Sequence, residues 1–152
     1  MRIAVASDHA GFAVKEHLRQ HLAGLGHAVE DFGCSSAEPC DYPDFVVPAA
    51  EAVAAGKCER GFVLGGSGNG EAMAANKVPG IRAAVVTDEF TAEMARRHND
   101  ANVASFGTRV VDEASILRLA ALFLETPFDG GRHQRRVEKI GEAEKRLAAK
   151  GR

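Results

Sequence analysis

The feature that most constrains this chain is an unbroken alternation of short apolar runs with segments of helical periodicity. A run at 2–6 precedes a helical pattern at 11–25, where Val14, Leu18, Leu22 and Leu25 share one face, Lys15, Glu16 and Arg19 point elsewhere, and Gly26 supplies a left-handed end. A run at 28–32 leads into a loop of Gly, Ser, Pro and Cys, and a helix opens near Asp41-Tyr42-Pro43 and fades at Gly56. The run at 62–64 passes straight into Gly65-Gly66-Ser67-Gly68-Asn69-Gly70, with a helical segment at 71–76 behind it. A fourth run at 83–86 is followed by a helix that Asp88 caps, with Phe90, Met94 and His98 on neighbouring rows. A fifth run at 102–106 precedes a helix from Asp112 carrying Ile116, Leu119, Ala120, Phe123 and Leu124, which Pro127 stops. Strands alternating with helices predict an α/β fold: a doubly wound, five-stranded parallel sheet covered on both faces.

The length of 152 residues, 45% of them hydrophobic, suffices for one core without disulfide or metal staples, and no repeat or composition shift divides the chain. A single domain over 1–152 is expected. Cys34, Cys40 and Cys58 form an odd set without CxxC spacing, so they read as ordinary thiols. A formal charge of −2 argues against a nucleic-acid backbone or an anionic membrane as main partner. No run approaches the about 18 apolar residues of a membrane span, and the first residues enter a strand pattern at once. A cytoplasmic address is expected.

The last segment, from Arg132 to about residue 150, begins after Gly130-Gly131 and carries a thin stripe of Val137, Ile140 and Leu147. It reads either as a helix packing on a partner subunit or as a solvated terminal helix.

Ligands of open parallel sheets sit at the C-terminal strand ends, which here carry Asp8 and His9, the glycine loop, Asp88 and Arg109. Asp8 can equally be a helix cap. The glycines let backbone N–H groups converge on a phosphate or on an oxyanion, or they serve only a tight turn. The loop lacks the GK[ST] of a P-loop, and its GxGxG spacing is not GxGxxG, although Asp88 lies at a suggestive distance for a nucleotide. A nucleotide-binding regulatory module is therefore the alternative of a different class. Glu71, immediately behind the loop, is placed either as a base beside an oxyanion site, the pairing that carbon acids need, or as a partner of the helix dipole. His98 can shuttle protons near neutrality or serve a helix C-terminus. Arg132 and Arg136 are helical neighbours able to close on one phosphate; the rival, a nucleic-acid adaptor, lacks interleaved aromatics. His9, His98 and His133 have no recognisable ligand spacing, so no metal is expected.

Six blocks in order carry a resemblance: SDHAG (7–11), DYP (41–43), GGSGNGEAMAANKVPGIRA (65–83), RRHNDANV (96–103), FGTRV (106–110) and GGRHQRRV (130–137). Together they resemble the type B ribose-5-phosphate isomerases, a family that includes galactose-6-phosphate and allose-6-phosphate isomerases. The resemblance implies a Rossmann-like sheet, a homodimer or homotetramer with active sites at the subunit interface, and no cofactor. It implies that Asp8 and His9 contact the sugar phosphate, that Tyr42 lines the sugar pocket, and that Gly66, Ser67, Gly68, Asn69 and Gly70 form the anion hole. His98 would open the furanose ring, Asn99 would hold a hydroxyl, and Arg109 would bind phosphate with Arg132 and Arg136 of a neighbouring subunit. Many relatives carry a cysteine base in the loop; Gly66 occupies that position here, so the chain resembles the subgroup in which a glutamate, Glu71, takes over.

The expected activity is interconversion of ribose 5-phosphate and ribulose 5-phosphate through an enediolate, a pentose phosphate pathway reaction. Allose 6-phosphate, galactose 6-phosphate or a tetrose 4-phosphate are the alternative substrates. A carboxylate base would need burial to raise its pKa toward about 6 to 7.

Overall fold

A computed structural model describes residues 1–151. The elements run β1 (Arg2–Ser7), α1 (Phe12–Gly24), β2 (Ala28–Asp31), α2 (Pro43–Ala54), β3 (Arg60–Gly65), α3 (Asn69–Ala75), β4 (Ala83–Val85), α4 (Glu89–Arg97), β5 (Val103–Gly107), α5 (Glu113–Glu125) and α6 (Arg132–Lys150). The strands form one parallel sheet in the order β2-β1-β3-β5-β4.

The central strands are buried along nearly their whole length, which is why they read as continuous apolar runs. Successive side chains feed opposite faces of the sheet. Ile3, Val5, Phe62 and Leu64 pack with α1, α4 and α5 on one face, while Ala4, Ala6 and Val63 pack with α2 and α3 on the other. Phe62 meets the rings of Phe106 and Phe123 at centroid distances of 6.0 and 5.8 Å. From β1 the chain moves outward to β2 and then returns to place β3 on the other side. That reversal opens a crevice between the C-terminal ends of β1 and β3, where Ser7 lies beside Leu64, and Gly65 lies beside Gly107 of β5.

Several predicted boundaries carry over. Asp88 caps α4 in a reciprocal pair with Thr91, Asp112 caps α5 through the N–H of Ser115, and Gly26 and Gly56 have φ of 90° and 73° behind α1 and α2. The strand β3 is longer than its apolar run, and α3 begins two residues earlier than predicted, so Asn69 and Gly70 form its first turn. Lys15 is a correction. Expected on the outer side of α1, it is fully buried, its ammonium 2.7 Å from Asp31 of β2 and 2.9 Å from Glu16, with the Phe12 ring beneath it at 5.5 Å. Two carboxylates compensate the desolvated charge, and the methylene stem fills the space between helix and edge strand. Hydrogen bonds from Arg19 and then Lys15 hold the Glu16 carboxyl down to about 2. Leu25, expected on the buried stripe, is instead exposed.

In α6 the only buried side chain is His133, and Ile140 and Leu147 are more than half exposed. No helix among the described residues is long and apolar enough to cross a membrane.

Asp31→Asn should destabilise the fold by about 3 kcal/mol in urea denaturation, the low end for a broken buried pair because Glu16 remains as a second partner. A loss below about 0.5 kcal/mol, the size of a surface pair, would refute the assignment of Lys15 to the core.

Candidate active site

The glycine loop is pinned from β5. The N–H of Thr108 donates to Gly65 O at 2.8 Å, the N–H of Arg109 to Gly66 O at 3.0 Å, and the Ser105 hydroxyl to Gly68 O at 2.7 Å. Gly68, at φ 82°, makes the left-handed turn that starts α3. The next feature is a substitution of volumes: a Cβ on Gly65 would lie 1.8 Å from Glu71 Oε1. The Glu71 carboxylate therefore occupies the space over the Cα of residue 65, and only glycine permits it.

Glu71 is 3% exposed. Burial pushes its carboxyl above the ordinary carboxylate value and the Asp8 charge adds to that, against the lowering by its own N–H and that of Gly68. Among the described residues, no protein acceptor meets the N–H groups of Gly66 and Ser67. A carboxylate inclined to accept a proton thus stands beside free amide donors, the combination proposed from sequence for carbon-acid chemistry.

The remaining groups at this end surround that pair. Asp8 Oδ1 accepts the N–H groups of Ala10 and Gly11 at 2.9 and 3.1 Å, so Asp8 shapes the turn into α1. His9 Nδ1 accepts the N–H of Cys40 at 3.2 Å, which leaves the proton of the neutral ring on Nε2 as a donor. Tyr42 lies against Gly70, its ring and hydroxyl within 2.8 Å of where a Cβ would stand. The Arg109 guanidinium lies over Gly66, 3.3 Å from the corresponding point. Thr108 fastens the turn after β1 to the end of β3, its hydroxyl bonding Ala10 O and Gly65 O at 3.1 and 3.2 Å.

His98, Asn99, Arg132 and Arg136 lie elsewhere. α4 runs back across the sheet, so His98 and Asn99 precede β5, whereas Glu71 follows β3; the two ends are separated by the length of a strand, about 16 Å for five residues. The His98 ring stacks on His133 of α6, with centroids 4.1 Å apart and planes at 8°. Arg132 opens α6 and Arg136 follows one turn on; both are exposed and, among the described residues, neither makes an ion pair. One chain thus carries two clusters at opposite ends of its sheet. Sequence reasoning missed the contact between His98 and His133, since residues so far apart in the chain give no local signal of it. It pointed to the strand end that carries Thr108 but gave that residue no role, and it missed Ser105; the contacts of both depend on which strand lies next to β3.

His98, Asp129 and His133 offer ligand atoms within 4.8 Å of one another. The stacked rings point their in-plane lone pairs along parallel planes, so both cannot meet one ion without a ring turning. Arg97 already pairs with Asp129 at 3.5 Å. Burial lowers the His133 pKa, and the charges of His98, Arg132 and Arg136 lower it further against a raising by Asp129; the exposed guanidinium groups of Arg132 and Arg136 on the same helix suit this end to an anion. Asp88, the residue suggestive of a nucleotide, has its carboxylate engaged by the N–H of Thr91 at 2.7 Å, and the buried Glu71 places negative charge in the cradle a nucleotide phosphate would need.

Residues 3–140 match the family model described as Ribose/Galactose Isomerase. The chain is 41% identical over 145 residues to ribose-5-phosphate isomerase B of Escherichia coli, covering 95% of this chain and 97% of that protein. The solved structure of Clostridium thermocellum ribose-5-phosphate isomerase B superposes with a TM-score of 0.95 at 48% identity, covering 97% of this chain and 99% of that one. The Mycoplasma genitalium ribose-5-phosphate isomerase B solved with bound ribulose-5-phosphate gives a TM-score of 0.91 at 40% identity, over 95% of this chain and 96% of that one.

Because the folded pKa of Glu71 is raised, its contribution to stability is fully present below the unfolded carboxylate range and is lost as pH rises through the folded value. Glu71→Gln should therefore melt higher than the parent chain at about pH 8, with the gap closing toward about pH 4. Equal melting temperatures at both pH values would mean that the carboxylate is not desolvated in the fold.

Proposed function

The chain belongs to the ribose/galactose isomerase family, and from that membership and its two clusters we propose that it interconverts D-ribose 5-phosphate and D-ribulose 5-phosphate. The observation that carries this reading is the buried Glu71 carboxylate beside the unengaged amides of the glycine loop. In the first step His98 opens the furanose by moving the anomeric hydroxyl proton to the ring oxygen, freeing the C1 aldehyde. Glu71 then takes the proton from C2. The electron pair forms the C1–C2 double bond, and the charge that develops on O1 is held by the N–H groups of the loop. Returning the proton to C1, with the O2 proton passing to O1, completes the ketose.

Tyr42 lines the sugar, Asn99 holds a hydroxyl, and Asp8 and His9 Nε2–H reach the substrate from the β1 end. Arg109, Arg132 and Arg136 neutralise the phosphate. The loop amides do the work of an electrophile, so the proposed mechanism assigns no step to a metal or organic cofactor.

Since Glu71 and His98 are a strand's length apart in one chain, the proposed site is composite. His98, Asn99, Arg132 and Arg136 of a second copy complete the cluster around Glu71, in a homodimer or homotetramer. The exposed Ile140 and Leu147 of α6 support a helix that is finished by another subunit. The reaction belongs to pentose phosphate metabolism, and a cytoplasmic enzyme fits it.

Glu71→Gln should lower kcat on ribose 5-phosphate by at least about a thousandfold with KM little changed, whereas Arg132→Ala should chiefly raise KM. Near-normal turnover in the Glu71 variant would remove the base. Co-refolding Glu71→Gln with His98→Asn chains in equal amounts should restore about a quarter of the parent activity, because half of the dimers then hold one intact site. No recovery in dimers shown to be mixed would sink the composite site. The same assays with allose 6-phosphate, galactose 6-phosphate and a tetrose 4-phosphate test the substrate.

A further inference from the structure

His98 and Asn99 are carried by a turn whose construction exceeds what ending a helix requires. Asp100 has φ 44°, the one positive φ outside glycine among the described residues. Arg82 donates from Nε to Asn99 O and Asp100 O at 3.0 and 3.1 Å, and from Nη2 to Asp100 O at 2.7 Å and Asp100 Oδ2 at 3.3 Å. Arg96, only 4% exposed, donates from Nη1 to Asp100 Oδ1 at 2.8 Å and Ala101 O at 2.6 Å, with its guanidinium over the Phe123 ring at 5.7 Å. Each Asp100 oxygen thus takes one guanidinium, and the carbonyls of residues 99, 100 and 101 are all bound by arginine.

The clamp is itself fixed. The N–H of Arg82 donates to Asn102 Oδ1 at 2.8 Å, tying the clamp to the entry of β5. Asp100 is thus the anion between two cations, its carboxylate 3.3 Å from Arg82 and 2.8 Å from Arg96. Glycine at position 100 would adopt this φ without strain. An aspartate there is explained by its charge.

We propose that Arg82, Asp100 and Arg96 form a positioning clamp that holds His98 and Asn99 in register for opening the sugar ring. The three are positioning residues that act through the backbone of the turn. The inference rests on the assignment of ring opening to His98, and the test separates the two. Ribulose 5-phosphate has its 5-hydroxyl phosphorylated and cannot close a furanose, so removal of its C1 proton by Glu71 needs no ring opening. The clamp should therefore matter for the cyclic aldose and hardly at all for exchange on the open-chain ketose.

The experiment compares Asp100→Asn and Asp100→Gly, both compatible with φ 44°, with the parent enzyme and His98→Asn. Two rates are read: net turnover of ribose 5-phosphate, and deuterium entry at C1 of ribulose 5-phosphate in D2O followed by NMR. Both Asp100 variants should lose about tenfold or more in kcat on ribose 5-phosphate, while C1 exchange stays within about twofold. Unchanged turnover in both variants overturns the clamp. Turnover and exchange falling in parallel also overturn it, since that marks a general structural loss. If His98→Asn turns over ribose 5-phosphate normally, the ring-opening assignment itself fails and the clamp falls with it.

Discussion

A carboxylate stands where the side chain of residue 65 would be, and the arrangement of this end of the molecule follows from that displacement. Glycine at the last position of β3 lets Glu71 fold back over the strand end and out of water. The cost of hiding a charge there raises its proton affinity, and the same backbone path leaves neighbouring amides without acceptors. A raised proton affinity and a pair of amide donors left free among the described residues are thus two results of one packing event. The loop keeps its shape because β5 lies beside β3, bringing Ser105, Thr108 and Arg109 to it.

The sheet also decides which residues one chain keeps apart. In a parallel sheet each helix returns the chain to the opposite end, so a residue closing α4 and a residue opening α3 are held apart by the strands between them. His98 stays with His133, Arg132 and Arg136 at one end, and Glu71 with Asp8, His9 and Tyr42 at the other. The stacked histidines and the exposed Arg132 and Arg136 make one end suited to an anion; the desolvated acid makes the other suited to taking a proton.

The order and type of the elements were legible because buried parallel strands and amphipathic helices each leave a periodic trace, and because caps such as Asp88 and Asp112 act within a few residues. The placement of Glu71 beside the loop was open to inference from a glycine run followed by an acid. Periodicity says which face of an element is apolar, but not what that face will meet. Lys15 illustrates this: its charge marks it as outward, and only the position of Asp31 on the neighbouring strand makes burial tolerable. The pairing of His98 with His133 and the gathering of Arg82, Asp100 and Arg96 depend likewise on which segments the strand order brings together. The C-terminal strand ends were the natural place to look for a site. Four candidate residues, His98, Asn99, Arg132 and Arg136, lie at the other end, and the proposed two-chain site is what would reunite them with the rest.

Separating the two clusters by a whole strand has a consequence for how such an enzyme responds to scarcity. If competence arises only where one copy meets another, specific activity is no fixed property of the polypeptide: it tracks the fraction of chains in contact and declines on dilution once the chain concentration falls below the dissociation constant. A newly made chain is then folded before it is useful, silent until it finds a second.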